Sequence, residues 1–503
     1  MRSEGWSVAR RASGYWWWAA AVAALTGLAA VVAVGLVRPW SDPVVPVAAP
    51  TRSPEPEPEA VLSAAGTAAP APTAEGVRAA IDELVRGGEL GEAVSVSVVD
   101  AVTGADLYRH QADRPTIPAS TVKLLTAATL LATHGPAYRL ATVAVAGAEP
   151  GEVVLVGGGD PTLSVDGNGF YPGAARLDQL AEQVREALGD TPVRQVTIDS
   201  SRFTGPVFGP WADDIPGSGF VGPVTALMTD GGRVDPDPAI AQRPALRWDE
   251  PDLAAGEAFA ELLDAPGEVV RGQAPPAGGG PGPTAPATGG AGPTDPATGG
   301  TPTDPAGVPP PGAELGRVSS PPVQRLIEIM LASSDNVVAE GLARQVAHAR
   351  GEPASFEGAA RAMATVLDEL GLARGDSVLA DGSGLSRDNR LTATLLTDLL
   401  ASAAAGPERP HAGVFAALPV AGWSGTLADR FRSPEPQTEP GAGYVRAKTG
   451  SLAGVDALAG LVTTADGRVL AFALLADAVP VDQETARVAL DRIAATLAGC
   501  GCR

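Results

Sequence analysis

Lysine is almost absent from this chain. Among its 503 residues are 36 basic residues, of which only Lys123 and Lys448 are lysines and all the others are arginines. An arginine side chain stays protonated in a protein, whereas a buried lysine can lose its proton and act as a base. A sequence with so strong a bias towards arginine has kept lysine at two positions, and both lie within short polar motifs.

Cysteine, histidine and positive charge are also scarce. The two cysteines lie among the last four residues and suit neither a disulfide framework nor a four-ligand zinc site; a local bond between them and no role at all both stay open. The net charge of −22 argues against a nucleic-acid partner, which requires a basic surface. None of the four histidines lies in a motif, so no Ser-His-Asp triad is expected, and no metal or cofactor is predicted. The two cysteines are Cys500 and Cys502, and the four histidines are His110, His134, His348 and His411.

The first 76 residues predict a membrane anchor and a linker. Residues 1–14 are basic and predict a cytoplasmic tail, whereas residues 15–37 carry no charge and are long enough to span a bilayer, at about 35 Å as a helix. The tryptophans at 16–18 suit a membrane interface, and the basic end predicts that the remaining chain lies outside the cell. A cleaved signal peptide, with a weak cleavage site at 33–35 and a secreted product, is the alternative. Residues 38–76, rich in Pro, Ala and Glu, predict a disordered linker.

The stretch from Pro118 to Leu131 predicts a buried helix that begins at Ser120, because its residues are apolar nearly all round. Residues three apart share one face of a helix, so the Lys123 amine is expected beside the Ser120 hydroxyl. Burial lowers the pKa of a lysine, and the positive end of the helix dipole lowers it further. A neutral lysine beside a serine is a base beside a nucleophile, although a Ser N-cap with an incidental Lys gives the same pattern.

The remaining chain predicts a split domain with an insertion. Residues 77–139 and 250–503 contain the helices and hairpin strands of an α+β domain, and residues 140–249 predict an inserted α/β domain. A helix at 252–263 is expected to return the chain to the first domain. Residues 272–312 repeat a Gly-, Pro- and Thr-rich unit with too few apolar side chains to fold, and they predict a floppy surface loop.

Two further polar motifs lie in the second half of the chain. Ser334-Asp-Asn336 interrupts an apolar helical stretch over 322–349, where buried polar groups need partners. A loop between two helices with an Asn cap explains that motif equally well. The second lysine lies in Lys448-Thr-Gly450, at the end of a short predicted strand.

The three motifs occur in the order that is typical of penicillin-binding proteins and class A β-lactamases. With 214 residues between Ser120 and Ser334, the chain resembles the D-alanyl-D-alanine carboxypeptidase/endopeptidases of the low-molecular-mass class C penicillin-binding proteins, which have a large insert there. The resemblance covers about 77–497 and implies an α/β sandwich of the serine β-lactamase/DD-peptidase type. The stretch 225–232 departs from the family, which usually has an Asn-containing ending there. Similar stretches also occur at 157–163, 381–386 and 418–427.

The resemblance implies a serine DD-peptidase that hydrolyses the D-Ala-D-Ala bond of peptidoglycan stem peptides through an acyl-enzyme and binds β-lactam antibiotics covalently. Ser120 is then the nucleophile and Lys123 its base. Ser334 relays a proton to the leaving amine, Asn336 binds the substrate amide or the first lysine, and Lys448 supports the proton path. Cleavage of D-Ala–meso-diaminopimelate cross-links depends on which peptides the insert admits.

The resemblance also implies where the substrate binds. The terminal carboxylate is expected at Thr449, Gly450 and Ser451. The family's oxyanion hole consists of two backbone N–H groups, which correspond here to those of Ser120 and Ser451.

Two other functions fit the same fold. A β-lactamase would need fast deacylation, but no Glu-x-x-Leu-Asn motif lies between the first two motifs. A non-catalytic wall-binding protein would be expected to lack a motif residue, and here none is missing.

Overall fold

The computed structural model describes residues 69–238, 244–276, 309–432 and 437–502. Within these ranges, no helix combines the length and the apolar composition needed to cross a bilayer. The predicted anchor at 15–37 lies outside the described residues, as do the predicted tail, most of the predicted linker and residues 277–308 of the predicted loop.

The described part of the chain contains ten α-helices and ten strands. The helices are α1 (Ala74–Val85), α2 (Lys123–His134), α3 (Leu177–Leu188), α4 (Pro251–Leu262), α5 (Val323–Ser333), α6 (Asn336–Ala349), α7 (Phe356–Glu369), α8 (Ala393–Ala404), α9 (Gly413–Ala417) and α10 (Gln483–Ala498). The strands are β1 (Val94–Asp100), β2 (Asp106–His110), β3 (Ala141–Ala146), β4 (Glu152–Val156), β5 (Gln195–Asp199), β6 (Val270–Arg271), β7 (Glu314–Ser319), β8 (Val445–Leu452), β9 (Val455–Thr463) and β10 (Val469–Ala476).

The first sheet has the strand order β2-β1-β10-β9-β8, with antiparallel pairing throughout. Both faces of this sheet are covered by helices, because β10 is apolar along its whole length and needs to be buried on both sides. Leu470, Phe472 and Leu474 pack with α1 and α10, whereas the alternate residues Ala471 and Ala473 face a layer of helices that includes α2, α5, α6 and α8. This sheet with helices on both faces contains all three predicted motifs.

The second sheet has the order β6-β5-β4-β3-β7. Strands β4, β5 and β6 are parallel, and β3 is antiparallel to both of its neighbours. Helices α3 and α4 pack on this sheet and share its apolar core. The mixed α/β fold expected from the sequence is therefore confirmed, with two sheets in the described residues.

Helix α4 packs on a different sheet from the one expected from the sequence. It was expected to return the chain to the first domain, but Phe259 and Ala255 pack on the second sheet. The contact is close, because a Cβ on Gly256 would lie 2.5 Å from Cγ2 of Ile198 in β5. Strands β6 and β7 also extend this sheet beyond residue 249, so the predicted boundary there divides elements that pack together.

Several local predictions agree with the structure, and two differ. The break at Ser334 separates α5 from α6, and the hairpin strands expected within 77–139 and 250–503 are observed as β1–β2 and β9–β10. The helix expected to begin at Ser120 instead consists of a 3-10 turn, Ala119–Val122, followed by α2. Helix α7 was not predicted, although its buried Phe356, Ala359, Met363 and Val366 recur at helical spacing.

Candidate active site

Ser120 lies on a tight turn that precedes α2. Ala119 has a φ of +44°, a left-handed conformation that non-glycine residues rarely adopt. Two glycines allow other backbone segments to approach this turn: a Cβ on Gly384 would lie 1.9 Å from the Ala119 carbonyl oxygen, and one on Gly450 would lie 2.8 Å from that of Pro118. The turn is therefore held between the loop after α7 and strand β8, and a functional site explains why its strain persists.

Lys123 is fully buried directly behind Ser120. Its Nζ donates to Ser120 Oγ (2.9 Å), to Asn336 Oδ1 (2.7 Å) and to the Ser383 carbonyl oxygen (2.6 Å). Burial lowers the pKa of this lysine to about 8, although the negative charges of Asp381 and Glu340 oppose that shift. The neutral form of this amine is therefore accessible nearer to neutral pH than that of an ordinary lysine.

A neutral lysine amine has two N–H groups, which donate hydrogen bonds, and one lone pair, which accepts one. It therefore donates to two of its three partners and accepts from the third. Asn336 Oδ1 and the Ser383 carbonyl carry no hydrogen, whereas the Ser120 hydroxyl does. Loss of a proton from Lys123 therefore directs the lone pair towards the serine, which is the geometry of a base paired with its nucleophile.

The Ser334 corner lies between two helices. Ser334 ends α5 with a φ of +58°, and Asp335 then caps α6 by accepting a hydrogen bond from Val338 N (3.1 Å). A glycine would adopt this backbone conformation at lower cost, but it would lack the hydroxyl that accepts a hydrogen bond from Lys448 Nζ (2.9 Å). The Asn-cap interpretation of this motif is incorrect, because Asp335 is the N-cap and Asn336 is the first residue of α6.

Residues from the segment between α2 and α5 support this corner. Arg233 Nη2 and Tyr171 Oη both donate to Asp335 Oδ2, at 3.0 and 2.9 Å, and the Arg233 guanidinium lies 3.6 Å from the centre of the Phe170 ring. Burial by itself would raise the pKa of Asp335, but the guanidinium groups of Arg233 and Arg247 outweigh it and hold that pKa well below its usual range. Sequence reasoning missed this network, because its members lie more than 80 positions from the motif that they support.

Lys448 is the second buried amine. Its Nζ donates to Ser334 Oγ and to the Thr449 carbonyl oxygen (2.8 Å). Burial lowers its pKa well below the ordinary lysine value, and the charges of Lys123 and Arg430 lower it further. The only two lysines of the sequence therefore lie in one site, each bonded to a serine hydroxyl.

The remaining predicted residues lie on β8, at the edge of the first sheet. Thr449 Oγ1 lies 2.9 Å from Thr426 Oγ1, and Ser451 Oγ donates to Asp456 Oδ1 (2.8 Å). Gly450 faces the turn that contains Ser120 and has no room there for a side chain. Edge strands carry backbone groups that are free to bond an added chain.

These residues line one cavity of about 800 Å³. The predicted site residues on its walls present hydroxyls and an amide, and the rest of the lining includes charged side chains such as Asp429, Arg430 and Arg432. Neither lysine lines the cavity, but each is bonded to a serine that does, Lys123 to Ser120 and Lys448 to Ser334. None of the four histidines lines it, and the described residues contain no cluster of potential metal ligands. The predicted site residues on its walls are Ser120, Ser334, Asn336, Thr449 and Ser451.

Two features of the site had no part in the sequence prediction. The Ser383 carbonyl that accepts from Lys123 belongs to the stretch 381–386, which the sequence indicated only as a family likeness. Glu340, one turn after Asn336, accepts hydrogen bonds from the backbone of the same stretch. The spacing between Asn336 and Glu340 on an apolar helix was a visible signal, since a buried acid needs a partner.

A solved structure identifies the class of this fold. Penicillin binding protein 4 (dacB) from Haemophilus influenzae is similar with a TM-score of 0.63 and 21% sequence identity, over 82% of this chain and 97% of that one. The same protein has also been solved in complex with a β-lactam. At this level of identity the likeness concerns the fold, which is that of a penicillin-binding protein.

The chain belongs to the D-Ala-D-Ala carboxypeptidase 3 (S13) family, whose model matches residues 77–271 and 303–497. Carboxypeptidase DacB of Mycolicibacterium smegmatis is 39% identical over 441 residues, which are 86% of this chain and 86% of that protein. A carboxypeptidase of Mycobacterium tuberculosis is 37% identical over 464 residues, covering 90% and 91% of the two chains. The serine DD-peptidase predicted from the motifs is thereby confirmed.

Proposed function

We propose that Ser120 attacks the carbonyl carbon of a D-Ala-D-Ala peptide bond while Lys123 takes the hydroxyl proton. The observation that carries this proposal is the 2.9 Å contact between Lys123 Nζ and Ser120 Oγ, made by a fully buried amine. A bond forms between Oγ and the carbonyl carbon, and the tetrahedral intermediate collapses to an acyl-enzyme. General-base catalysis of this kind accounts for about 10²- to 10⁴-fold in rate.

The leaving D-alanine needs a proton on its nitrogen when the C–N bond breaks. Ser334 relays it: its hydroxyl proton goes to the leaving nitrogen, and its oxygen takes in return the proton that Lys123 received from Ser120, which leaves Lys123 neutral again. Lys448 donates to Ser334 Oγ, so the hydroxyl hydrogen of this serine can point towards the leaving nitrogen. Water then attacks the acyl-enzyme with Lys123 as the base, the bond to Oγ breaks, and the Ser120 hydroxyl recovers its proton. The net reaction adds one water molecule across the peptide bond.

Substrate binding uses the edge of the first sheet. The terminal carboxylate binds at Thr449, Gly450 and Ser451, and Asn336 holds both Lys123 and the substrate amide. The backbone N–H groups of Ser120 and Ser451 form the oxyanion hole, in which one donor contributes about 3 kcal/mol to lowering the barrier. Both residues line the same cavity, which supports this arrangement.

The substrates are peptidoglycan stem peptides, and β-lactams acylate the same serine. The enzyme acts outside the cytoplasm, with residues 15–37 as its membrane anchor or, in the alternative, as a cleaved signal. Hydrolysis of D-Ala–meso-diaminopimelate cross-links is the second activity of the same site. Neither the β-lactamase nor the non-catalytic alternative is favoured by family membership.

A muropeptide assay tests this proposal. The purified protein is incubated with a pentapeptide muropeptide and with its cross-linked dimer, and the products are identified by mass. Release of one D-alanine from the pentapeptide is expected, and conversion of the dimer to monomers would establish the second activity. The matched control is Ser120→Ala, which removes one oxygen atom and should release no D-alanine. The mechanism would be refuted if this variant still released D-alanine, or if the folded wild-type protein released none.

A further inference from the structure

Glu340 is a buried acid to which the proposed mechanism gives no task. It lies on α6 with 1% of its surface exposed. Its two carboxylate oxygens accept hydrogen bonds from consecutive backbone groups, Ser383 N (2.8 Å) and Gly382 N (3.1 Å). The cation one turn further along, Arg344, directs its guanidinium to the carbonyl oxygens of Val224 and Pro206, at 3.0 Å each.

The same two residues bond to α2 through their carbonyl groups. The Ser383 carbonyl accepts from Lys123 Nζ (2.6 Å), and the Gly382 carbonyl accepts from Thr126 Oγ1 (2.7 Å). Glu340 therefore binds the backbone N–H groups of Gly382 and Ser383, and the carbonyl of Ser383 binds the lysine. The Ser383 N–H and the Gly382 carbonyl belong to one peptide group, so the Glu340 anion polarises that group and strengthens its bond with Thr126. Because the same bonds fix the backbone of Ser383, they also fix the position of the Ser383 carbonyl that binds Lys123.

We propose that Glu340 is a positioning residue that fixes the Ser383 carbonyl on Lys123 and whose negative charge sets how readily Lys123 gives up its proton. This inference rests on the proposed function, in which Lys123 is the base. It predicts that removing the charge and shifting the carboxylate have separable effects.

Other charges also face this pair. Asp335 faces Lys123 from α6 but is itself paired with Arg233. Asp381 faces it from the loop and accepts hydrogen bonds from the backbone N–H groups of Gly384 and Ser386, both at 2.7 Å, as well as from the Trp211 ring nitrogen. The remaining charges are positive: Lys448 acts on Lys123, and Arg344 acts on Glu340.

Glu340 can change its charge near neutral pH. Burial and the negative charge of Asp381 together raise its pKa to about 7, although the two backbone hydrogen bonds oppose that rise. Protonation would turn one carboxylate oxygen into an uncharged hydroxyl, which accepts a hydrogen bond from a backbone N–H less strongly than the ionised oxygen does. The ionised carboxylate is therefore the form that matches the loop, and the lysine contact is expected to weaken as the pH falls below 7.

The scarcity of lysine makes a direct test possible. Protein labelled with ¹³C at lysine Cε has only two labelled side chains, so NMR can follow the titration of Lys123, assigned with Lys448→Arg. In Glu340→Gln the loss of a negative charge is expected to lower the titration midpoint of Lys123 by on the order of one pH unit. The acid limb of penicillin acylation should move by the same amount.

Glu340→Asp separates position from charge. It keeps the charge but withdraws the carboxylate by one methylene, so the Lys123 midpoint should stay within about 0.3 units while the maximal acylation rate falls about tenfold. The matched control is Asp160→Asn, which removes a buried carboxylate whose hydrogen bonds come from Thr162 rather than from the loop. This control should leave both the midpoint and the acylation rate unchanged.

A Lys123 midpoint that does not move in Glu340→Gln would overturn the proposal. Should that variant fail to fold, an unchanged acylation rate in Glu340→Asp would overturn it as well. The midpoints are measured without substrate, so they test the inference independently of catalysis. Failure of the proposed function would be recognised differently, by acylation that survives Lys123→Arg.

Discussion

Replacing Arg233 by methionine is expected to destabilise the fold and disable the site together. The Arg233 side chain is 4% exposed, as is that of Asp335, and it also donates to Tyr171 Oη (2.7 Å) and to the Asp230 carbonyl (2.9 Å). Removing one member of a buried ion pair leaves the other charge without compensation and costs about 3–5 kcal/mol. The free energy of unfolding, measured with urea at pH 7, should fall by that amount.

The pH dependence of this loss has a definite sign. In the wild type the pKa of Asp335 is below its unfolded value, so the native state binds fewer protons than the unfolded state, and this contribution to stability is present above about pH 4 and is lost as the pH falls. Without Arg233, Arg247 is the guanidinium that still opposes the effect of burial on Asp335, so the pKa of this carboxyl is higher than in the wild type and its protonation at mildly acidic pH relieves the buried charge. The deficit of the variant should therefore be smaller at pH 5 than at pH 7.

The effect on catalysis follows from geometry. Asp335 lies between Ser334 and Asn336, and a displacement of about 1 Å in a catalytic group can cost about 100-fold in rate. Penicillin acylation of Arg233→Met should fall by at least tenfold. In the control Arg317→Met, the lost pair with Glu314 is about half exposed and is worth less than about 1 kcal/mol.

A double variant completes the test. Asp335→Asn removes the buried charge, so combining it with Arg233→Met should restore part of the stability lost in the single variant. The reasoning is refuted if Arg233→Met costs no more stability than Arg317→Met, or if its deficit does not depend on pH.

Three further predictions concern the nucleophile and its base. Lys123→Arg keeps the charge but provides no base, so penicillin acylation, followed by rapid quench, should fall by about 10²- to 10⁴-fold; near-normal acylation would contradict the mechanism. In the wild type the acylation rate should rise about tenfold per pH unit below 8 and level off above it, since the neutral amine is the reactive form; a rate that is flat from pH 6 to 9 would exclude this. Gly384→Ala places a Cβ 1.9 Å from the Ala119 carbonyl oxygen at a φ of +85°, so it should lower both the melting temperature and the acylation rate. Its control is Gly371→Ala, which has a φ of +75° but nothing within 4 Å of the added Cβ, and it should lower the melting temperature alone.

Much of the site was predictable because each motif is local. The three-residue spacing of Ser120 and Lys123 brings the two side chains together in any helical turn, and the break at Ser334 follows from polar residues inside apolar helical text. The 3-10 turn at Ser120 was not predictable, since it depends on Gly384 and Gly450 allowing other backbone segments to approach. Local text also could not assign α4 to the second sheet, because its apolar face fits either neighbour.

The sequence by itself determined which residues are able to do this chemistry. It retained lysine at two positions, placed a serine one turn before the first, and made β10 apolar throughout, so that this strand is buried on both faces. The tertiary structure decided what surrounds those residues: Asn336 contacts Lys123 across 213 positions, and Ser334 contacts Lys448 across 114. The pKa of an amine depends on how far the fold removes it from water and on which charges the fold places beside it. Both depend on contacts between distant segments, which form only when the chain has folded.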